Sequence, residues 1–282
     1  MHDTVVHVRQ EAAAATAPGT GALGVVRHGA RSVVFRAIAA SPLRLLTPRN
    51  DGRAAWIYTS TFGGGLVDGD ALRLDVDVAD GAAALLSTQS ATKVYRSPNG
   101  TRVDFQARVA AGGLLVSLPD PVVCFAGSAY AQSQRIDLSE TASLVMLDWM
   151  TSGRRESGER WAFDRYSTRL AVFRDGRPLV HDALSLRPAD GDLASRMGRF
   201  DVLALAVLTG PAVRDGADAA IASVAGQPVD HRPALVVSAS PIAAGAIVRL
   251  AGPSIEAVGR AIRSHLAFVP ALLGDDPWSR KW

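Results

Sequence analysis

Between about Gly21 and Ala183 the dominant pattern is an alternation of apolar and polar residues with a period of two. In the segment 72–78, leucine and valine at the even positions alternate with charged residues at the odd ones. This pattern predicts a strand with one buried face. The segments 103–109 and 114–118 repeat it, so the first part of the chain is predicted to be rich in β-strands.

Turn signals separate these strands at intervals of roughly 10–12 residues, a spacing typical of sandwiches, barrels and solenoids. The sequence shows no repeat of fixed period, so the pattern alone does not select a regular solenoid. The turn signals are Asp51-Gly52, Asp80-Gly81, Asn99-Gly100, Gly112-Gly113 and Asp175-Gly176.

The C-terminal third has a different pattern. Apolar residues at helical spacing predict a helix over 192–208, and short apolar runs predict buried strands over 233–240 and 247–250. Ser254 is a candidate N-cap for an amphipathic helix that we expect Pro270 and Gly274 to end. No linker divides the chain, so we predict one domain over 1–282, with residues 1–20 as a flexible arm and two exposed tryptophans, Trp278 and Trp282, in the tail.

Composition excludes several classes of protein. Hydrophobic residues make up 48% of the chain and the net charge is +3, with no basic run interleaved with aromatics, so nucleic acid is not an expected partner. The single cysteine, Cys124, cannot form an internal disulfide, and its apolar neighbours predict a buried core residue. No run of 18 apolar residues and no signal-peptide pattern is present, so we expect a cytoplasmic protein with no membrane segment.

The first stretch that suggests chemistry is the glycine-rich segment 63–70, Gly-Gly-Gly-Leu-Val-Asp-Gly-Asp. It lacks the Gly-Lys-Ser/Thr of a phosphate loop, and a strand rather than a helix follows it. A turn between strands is the simpler interpretation. The functional alternative is that Asp70 places a carboxylate at the turn, where it could contact a cation or an arginine of a partner.

The second stretch, 88–96, collects a hydroxyl, an ammonium and a phenol directly after an apolar strand, at Thr88, Lys93 and Tyr95. Two interpretations stay open. The stretch is either a polar strand end with satisfied hydrogen bonds, or a polar wall that lines a cavity or an interface.

The third stretch, 148–163, contains two tryptophans, three arginines and three carboxylates. Paired carboxylates can perform acid–base catalysis. Each carboxylate here has an arginine nearby in sequence, which favours the charged form and prevents the raised pKa that a general acid needs. We therefore rank a loop held by salt bridges first, a protein-binding surface second and catalysis third.

Signatures of common hydrolases and metal sites are absent. The sequence has no Gly-x-Ser-x-Gly, no His-Glu-x-x-His and no Cys-x-x-Cys, and its six histidines form no local pair. His2 and His7 could at most bind a metal weakly from the N-terminal arm. These observations favour a protein that binds other proteins over an enzyme.

Taken in order, these stretches resemble the family of urease accessory protein UreD, also called UreH. Five motifs carry the resemblance, which covers about residues 24–282. Asp68 stands where the family commonly has glycine, and Trp278 where it often has arginine. The matching residues are Gly64, Gly65, Gly69 and Asp70 in the turn; Thr88, Lys93, Tyr95 and Arg96; Leu118-Pro119-Asp120-Pro121; Gln132 or Gln134; and Asp148-Trp149, Gly153-Arg154, Gly158-Glu159, Trp161 and Phe163.

The resemblance implies a fold, partners and a cargo. The fold would be a mainly β, layered, β-helix-like or solenoid stack of strands with a few α-helices packed on it near the C-terminus. The protein would dock with UreF, and through it with the GTPase UreG, on the urease apoprotein. The resemblance is also compatible with a dimer of this accessory complex. It would hold no tightly bound cofactor but would pass Ni²⁺ in transit through an internal channel.

A channel needs weak, oxygen-rich sites, because tight sites would trap the ion. The candidates for guiding nickel are Asp70, Asp148 and Glu159, with Thr88 and Tyr95 as neutral wall groups, and Asp70 is the candidate for a transient metal contact. The remaining motif residues are expected to be structural.

The alternative from a different class is a β-solenoid hydrolase that acts on a carbohydrate with Asp148, Glu156 or Glu159. Such an enzyme needs an open groove with two carboxylates on opposite sides of the substrate.

Overall fold

The computed structural model describes residues 17–228 and 230–279 and is mainly β, with a few helices in the C-terminal third, as the sequence predicts. In chain order the strands are β1 (Thr20–His28), β2 (Arg31–Ala39), β3 (Leu43–Leu46), β4 (Ala55–Thr61), β5 (Ala71–Val78), β6 (Ala83–Thr88), β7 (Thr92–Val94), β8 (Thr101–Val109), β9 (Leu114–Leu118), β10 (Val122–Cys124), β11 (Ala129–Leu138), β12 (Ser143–Thr151), β13 (Arg165–Arg174), β14 (Arg177–Leu186), β15 (Val202–Thr209), β16 (Val236–Ile242) and β17 (Gly245–Gly252). The α-helices are α1 (Leu193–Met197), α2 (Arg214–Ala225), α3 (Ile255–His265) and α4 (Val269–Leu273).

The strands form two sheets. The seven-stranded sheet has the order β14-β13-β11-β8-β5-β1-β2, and its five inner strands run parallel. The ten-stranded sheet follows the path β16-β17-β15-β12-β9-β6-β4-β3, with β7 and β10 attached beside β12. Its strands β4, β6, β9 and β12 are parallel, whereas β15, β17 and β16 continue it antiparallel.

The chain alternates between the two sheets along the parallel region. Strands β5, β8, β11 and β13 belong to the seven-stranded sheet, and the intervening strands β6, β9 and β12 belong to the other. Each passage of the chain therefore adds one strand to each sheet. The register stacks distant residues, as Val103 pairs with Gln132 and Gln132 with Thr168, so residues from successive passages lie side by side.

Two apolar clusters hold this arrangement. The first contains inward-facing residues of both sheets, such as Leu74, Ile136 and Leu144. The second joins the other face of the ten-stranded sheet to the helices, through residues such as Val116 and Ile262. The ten-stranded sheet is thus covered on both faces, which explains why β9 is buried at every position.

The predicted helix over 192–208 is wrong for most of its length. Only α1 is helical there, with the Asp192 carboxylate accepting a hydrogen bond from the backbone N–H of Ser195 as its N-cap. The chain then turns, and Val202–Thr209 forms β15 between β12 and β17. Strand β15 is buried on both faces, so its run of apolar residues carries no period of two that distinguishes it from a buried helix.

The other C-terminal predictions are partly confirmed. The segment 247–250 lies in β17, and the hydroxyl of Ser254 accepts a hydrogen bond from the backbone N–H of Ala257 at the start of α3. The segment 233–240 contributes to β16, but as a largely exposed edge strand rather than a buried one. The helix ends at His265, before Pro270, which lies within the separate α4; Gly274 ends that helix.

Burial corrects one further prediction and confirms another. Trp278 is partly buried against the second apolar cluster, so the expectation that it is exposed is wrong. Cys124 is buried, as its neighbours predict. Across residues 17–228 and 230–279, no helix combines the length and apolar character needed to span a bilayer. His2, His7 and Trp282 lie outside the described residues, as do residues 1–16 of the predicted arm.

Candidate functional site

Two cavities lie between the sheets and meet at one strand. The first, of about 160 Å³, is lined by hydroxyl and amide groups as well as apolar ones, among them Thr59, Thr88, Ser117, Gln132 and Gln134. The second, of about 320 Å³, is lined by residues of β12 to β17, among them Tyr166, Thr168, Asp182 and Arg249. Asp148 and Trp149, adjacent on β12, line both cavities.

Asp148 is a carboxylate in the interior. It retains some accessible surface, but its carboxyl group is enclosed by the protein, so we assign that surface to the two cavities rather than to the outside. The side-chain amide of Gln134, on β11 of the opposite sheet, donates a hydrogen bond of 3.0 Å to Asp148 Oδ2. This bond fixes the carboxylate between the sheets.

The pKa of Asp148 is raised to about 6. Burial is the largest cause and the negative charge of Asp182 adds to it, whereas the hydrogen bond from Gln134 opposes the rise. The prediction that a neighbouring arginine keeps this carboxylate at an ordinary pKa is therefore wrong. Arg154 follows Asp148 closely in sequence, but it lies beyond the end of β12 and pairs with Glu159 instead.

Two stacked tyrosines complete the interior wall near Asp148. The rings of Tyr130 and Tyr166 are 5.6 Å apart between centroids, and both residues are buried. Burial, followed by the charge of Asp148, holds the pKa of each phenol well above its usual range. Both phenols are therefore neutral hydroxyl groups, and that of Tyr130 donates to Gln132 Oε1.

Thr88 lies in the wall of the first cavity, at the end of β6. Its hydroxyl donates to Asp120 Oδ2 at 3.0 Å and accepts from the Asp120 backbone N–H at 2.7 Å. In the same segment, the Pro119 carbonyl accepts a 2.8 Å hydrogen bond from Trp149 Nε1. The Leu-Pro-x-Pro motif thus connects the two strand ends that form this part of the wall.

Asp70 lies outside both cavity linings. Its carboxylate accepts a 2.8 Å hydrogen bond from the backbone N–H of Val67 and so closes the glycine-rich turn. Gly64 and Gly69 adopt the left-handed conformation that favours glycine. Gly65 packs so tightly that an added Cβ would lie 2.7 Å from the Lys93 carbonyl oxygen. The turn is a built structural element at the rim of the first cavity, which Gly64 and Gly65 line.

Tyr95 also lies outside both linings. Its ring packs edge-to-face against Phe125, with 5.2 Å between the centroids, and its backbone N–H donates to the Leu66 carbonyl. Lys93 and Arg96, on either side of it, are exposed. The stretch 88–96 therefore divides: its first half lines the cavity, and its second half supports the glycine-rich turn.

The loop that follows β12 is held by salt bridges, in agreement with the first of the three interpretations of its sequence. Glu159 pairs with Arg154 and accepts a hydrogen bond from the Ala126 backbone N–H, and these contacts lower the pKa of Glu159. The buried Asp201 forms salt bridges with both Arg155 and Arg160. Within the same loop, Trp161 is buried and adopts a positive φ of 56°.

The five nickel-guiding candidates are therefore not one cluster. Thr88 and Asp148 line the first cavity. Outside it, Asp70 and Tyr95 stabilise the glycine-rich turn, and Glu159 stabilises the loop after β12. Among the described residues, no group of three or more histidine, cysteine, aspartate or glutamate side chains is arranged to hold a metal. The hydrolase alternative requires paired carboxylates in one groove, but Glu159 is paired with arginine away from the cavity that contains Asp148.

Sequence reasoning misses several wall residues. Thr168, Asp182 and Arg249 come from β13, β14 and β17, far from Asp148 in sequence, and the fold alone brings them to the second cavity. Tyr130 and Tyr166 carry one usable signal, because each is a polar-tipped aromatic at an inward position of an alternating strand.

Comparison with known proteins identifies the family. The UreD urease accessory protein family model matches residues 17–282. A protein of Sorangium cellulosum named urease accessory protein UreD is 53% identical over 265 residues, which are 94% of this chain and 84% of that protein. A protein of the same name from Anaeromyxobacter is 43% identical, covering 93% of this chain and 89% of its own length. Urease accessory protein D of Oryza sativa subsp. japonica is 35% identical, covering 95% and 97%. These relatives are named as accessory proteins rather than enzymes, in agreement with the non-catalytic role that the sequence predicts. The chain belongs to the UreD urease accessory protein family.

Proposed function

We propose that this protein is a cytoplasmic maturation scaffold for urease, which docks with UreF and UreG on the urease apoprotein and guides Ni²⁺ through its interior. The family membership supports the maturation role. The observation that carries the conduit is the position of Asp148, at the junction of two cavities between the sheets.

The chemistry of the walls suits transient passage of a divalent cation. Hydroxyl, amide and carboxylate oxygens suit hard divalent ions, whereas nickel binds imidazole more strongly. The cavities expose oxygen-bearing groups such as Thr88, Gln132, Thr168 and Asp148, and no histidine within the described part of the chain lines either of them. Such walls attract the ion without holding it tightly.

The charge of Asp148 supports the same role. With a pKa of about 6, this carboxylate is mainly ionised at neutral pH. Among residues 17–228 and 230–279, Asp148 has one amide hydrogen bond and no ion pair. Its enclosed negative charge attracts a passing cation strongly, since the surrounding dielectric is low. Acidification below pH 6 would remove this attraction.

The parallel region supports the β-helix-like stack that the family resemblance implies. Successive passages of the chain each add one strand to each sheet, which leaves an interior that runs along the stack. We propose that the two cavities are parts of one passage along this interior, joined at Asp148.

Docking surfaces are expected near the ends of this passage. Phe62 directly precedes the glycine-rich turn at the rim of the first cavity and Val67 lies within it; they are 67% and 54% exposed. Aromatic and aliphatic groups in such positions are typical of protein interfaces. The apolar face of α3, by contrast, is covered by the protein's own second cluster, so it does not need a partner to cover it.

The proposal is tested by urease activation in cells that express urease with its full set of accessory proteins. Asp148→Asn keeps the shape and the hydrogen bond from Gln134 but removes the charge, and we expect it to lower urease activity at limiting nickel. Asp137→Asn, a substitution of an exposed carboxylate paired with Arg135, is the control and should leave activity unchanged. Retention of full activity by Asp148→Asn would remove the conduit role of this residue.

Docking is tested separately, by co-purification of the chain with UreF. Co-purification is expected for the wild type and for Asp148→Asn alike, because the buried carboxylate does not reach the outer surface. Failure of folded wild-type protein to retain UreF would contradict the scaffold.

A further inference from the structure

An ion pair that is partly exposed to solvent lies in the wall of the second cavity, and we take its position as the mouth. Arg249 on β17 and Asp182 on β14 lie 3.0 Å apart between Nη2 and Oδ1. These strands belong to different sheets. The other ion pairs found in residues 17–228 and 230–279 lie within one sheet or within the loop after β12 and its neighbour Asp201.

The pair is ordered from the outside inward. The Arg249 side chain is 49% exposed and that of Asp182 is 27% exposed, whereas Asp148 is enclosed. All three residues line the same cavity. The charge of Asp182 reaches Asp148, since it acts on the ionisation of that carboxylate. A cation that enters through this mouth therefore meets a guanidinium first and two carboxylates behind it.

We propose that Arg249 is a latch on the second cavity, which occupies the carboxylate of Asp182 until a divalent cation displaces it. This inference rests on the proposed function for the identity of the cation. A divalent ion between Asp182 and Asp148 interacts with two negative charges, whereas the guanidinium has one partner. The half-exposed Arg249 can return to water at little cost, because ion pairs in contact with solvent are weak.

The same latch would disfavour monovalent cations at these two carboxylates. With Arg249 in place, the charge of Asp182 is compensated, and a monovalent ion gains little by replacing it. A divalent ion gains more, so the latch selects for charge. Releasing Arg249 also breaks the one side-chain ion pair that, among the described residues, joins the two sheets at this edge.

The experiment measures Ni²⁺ binding by the full-length protein at pH 7.5, in competition with a chromophoric chelator. Removing the competing guanidinium with Arg249→Gln should tighten binding about fivefold, the effect of roughly 1 kcal/mol of exposed pairing. Arg249→Met, which keeps the apolar stem, is a second variant with the same expectation. Arg135→Gln is the matched control, because Arg135 pairs with Asp137 at 2.7 Å with a similar exposure of 50% but on the outer face of a sheet.

The double substitution Asp182→Asn with Arg249→Gln identifies the mechanism. If Arg249 acts by occupying Asp182, the double variant should bind Ni²⁺ no more tightly than Asp182→Asn alone. Equal affinities of Arg249→Gln, Arg249→Met and wild type would overturn the latch. A fivefold gain in Arg135→Gln would overturn it too, because the effect would then be one of net charge.

Absence of measurable Ni²⁺ binding by both wild type and Arg249→Gln would also overturn the latch. The conduit is judged independently by urease activation with Asp148→Asn. A loss of activation there, together with no effect of Arg249, would leave the conduit standing without its latch. Normal activation by Asp148→Asn, together with tighter binding by Arg249→Gln, would leave the latch standing without the conduit.

Discussion

Gln134 and Asp148 form a side-chain hydrogen bond of 3.0 Å that joins the two sheets across the interior. Gln134 is buried on β11, and Asp148 lies on β12 where the two cavities meet. Loss of either partner would leave the other as an unpaired buried polar group, which is destabilising. Asp148 therefore brings a charge into the interior, and Gln134 holds that charge in place.

Replacement of Gln134 tests this relationship. Gln134→Leu removes the donor and leaves the carboxylate without its amide partner, so we expect a loss of about 1–3 kcal/mol in the free energy of unfolding. The pKa of Asp148 should rise, because the lost hydrogen bond favours the ionised form. Denaturant unfolding measures the first effect. Gln106→Leu, on the outer face of the adjacent β8, is the control and should change stability by no more than about 0.5 kcal/mol; an equal loss in both variants would contradict the role of the pair.

The ionisation of Asp148 predicts a specific dependence of stability on pH. Its pKa of about 6 in the folded protein lies above that of an aspartate in an unfolded chain, so the folded state binds this proton more tightly. The contribution of this group to stability is present at low pH and is lost as the pH rises through 6. Asp148→Asn lacks this loss. Its stability relative to wild type should increase by about 2–3 kcal/mol between pH 4 and pH 7.5.

Thermal or denaturant unfolding at several pH values measures that difference. A constant gap between the two proteins from pH 4 to pH 7.5 would show that the carboxylate titrates in the ordinary range. A gain in stability combined with a loss of urease activation would show that the protein retains a destabilising charge for its function.

Asp201 should be a major stabilising residue of the loop after β12. It is buried, with 7% of its side chain exposed, and accepts from Arg155 at 2.6 Å and from Arg160. Because Arg155 is largely in solvent, we discount its share and expect Asp201→Ala to lower the free energy of unfolding by about 2–3 kcal/mol. Asp75→Ala, which breaks the exposed pair with Arg73, should change it by less than about 1 kcal/mol. Similar losses in both would contradict this ranking.

Replacement by alanine is expected to change stability in opposite directions at two glycines. An added Cβ at Gly65 would lie 2.7 Å from the Lys93 carbonyl, so Gly65→Ala should destabilise the protein by about 1–3 kcal/mol through a forced backbone shift. Gly259 lies inside α3 and an added Cβ would lie 3.9 Å from the Trp149 ring, an ordinary contact. Gly259→Ala should therefore stabilise the protein by about 0.5–1 kcal/mol. Thermal unfolding of both variants checks the two signs.

The alternating strands of the first two thirds are predictable because each exposes one face, as in β5, whose buried and exposed positions follow the predicted period of two. Strand β15 is not predictable in the same way. Helices cover one face of its sheet and the other sheet covers the opposite face, so both kinds of position become apolar. The misassigned helix over 192–208 follows from this tertiary burial rather than from an unusual sequence.

The site is predictable only in part, for a related reason. Asp148 stands out because it begins a stretch rich in charge, but its neighbours in sequence mislead. Arg154 and Glu159 lie past the end of the strand and pair with each other, while the groups that act on Asp148, Gln134 and Asp182, come from other strands. Residue identity therefore reveals the carboxylate, and only the fold reveals its environment.

The most direct test of the conduit is the nickel content of urease from cells in which the Asp148→Asn variant replaces the wild-type accessory protein. Urease is purified from cells at limiting nickel, and its bound nickel is counted by atomic absorption, with Asp137→Asn as the control and with equal amounts of accessory complex verified in each strain. Passage past Asp148 predicts urease depleted in nickel with the first variant and fully loaded with the second. Equal loading with both variants would show that nickel reaches urease without the carboxylate at the junction of the cavities.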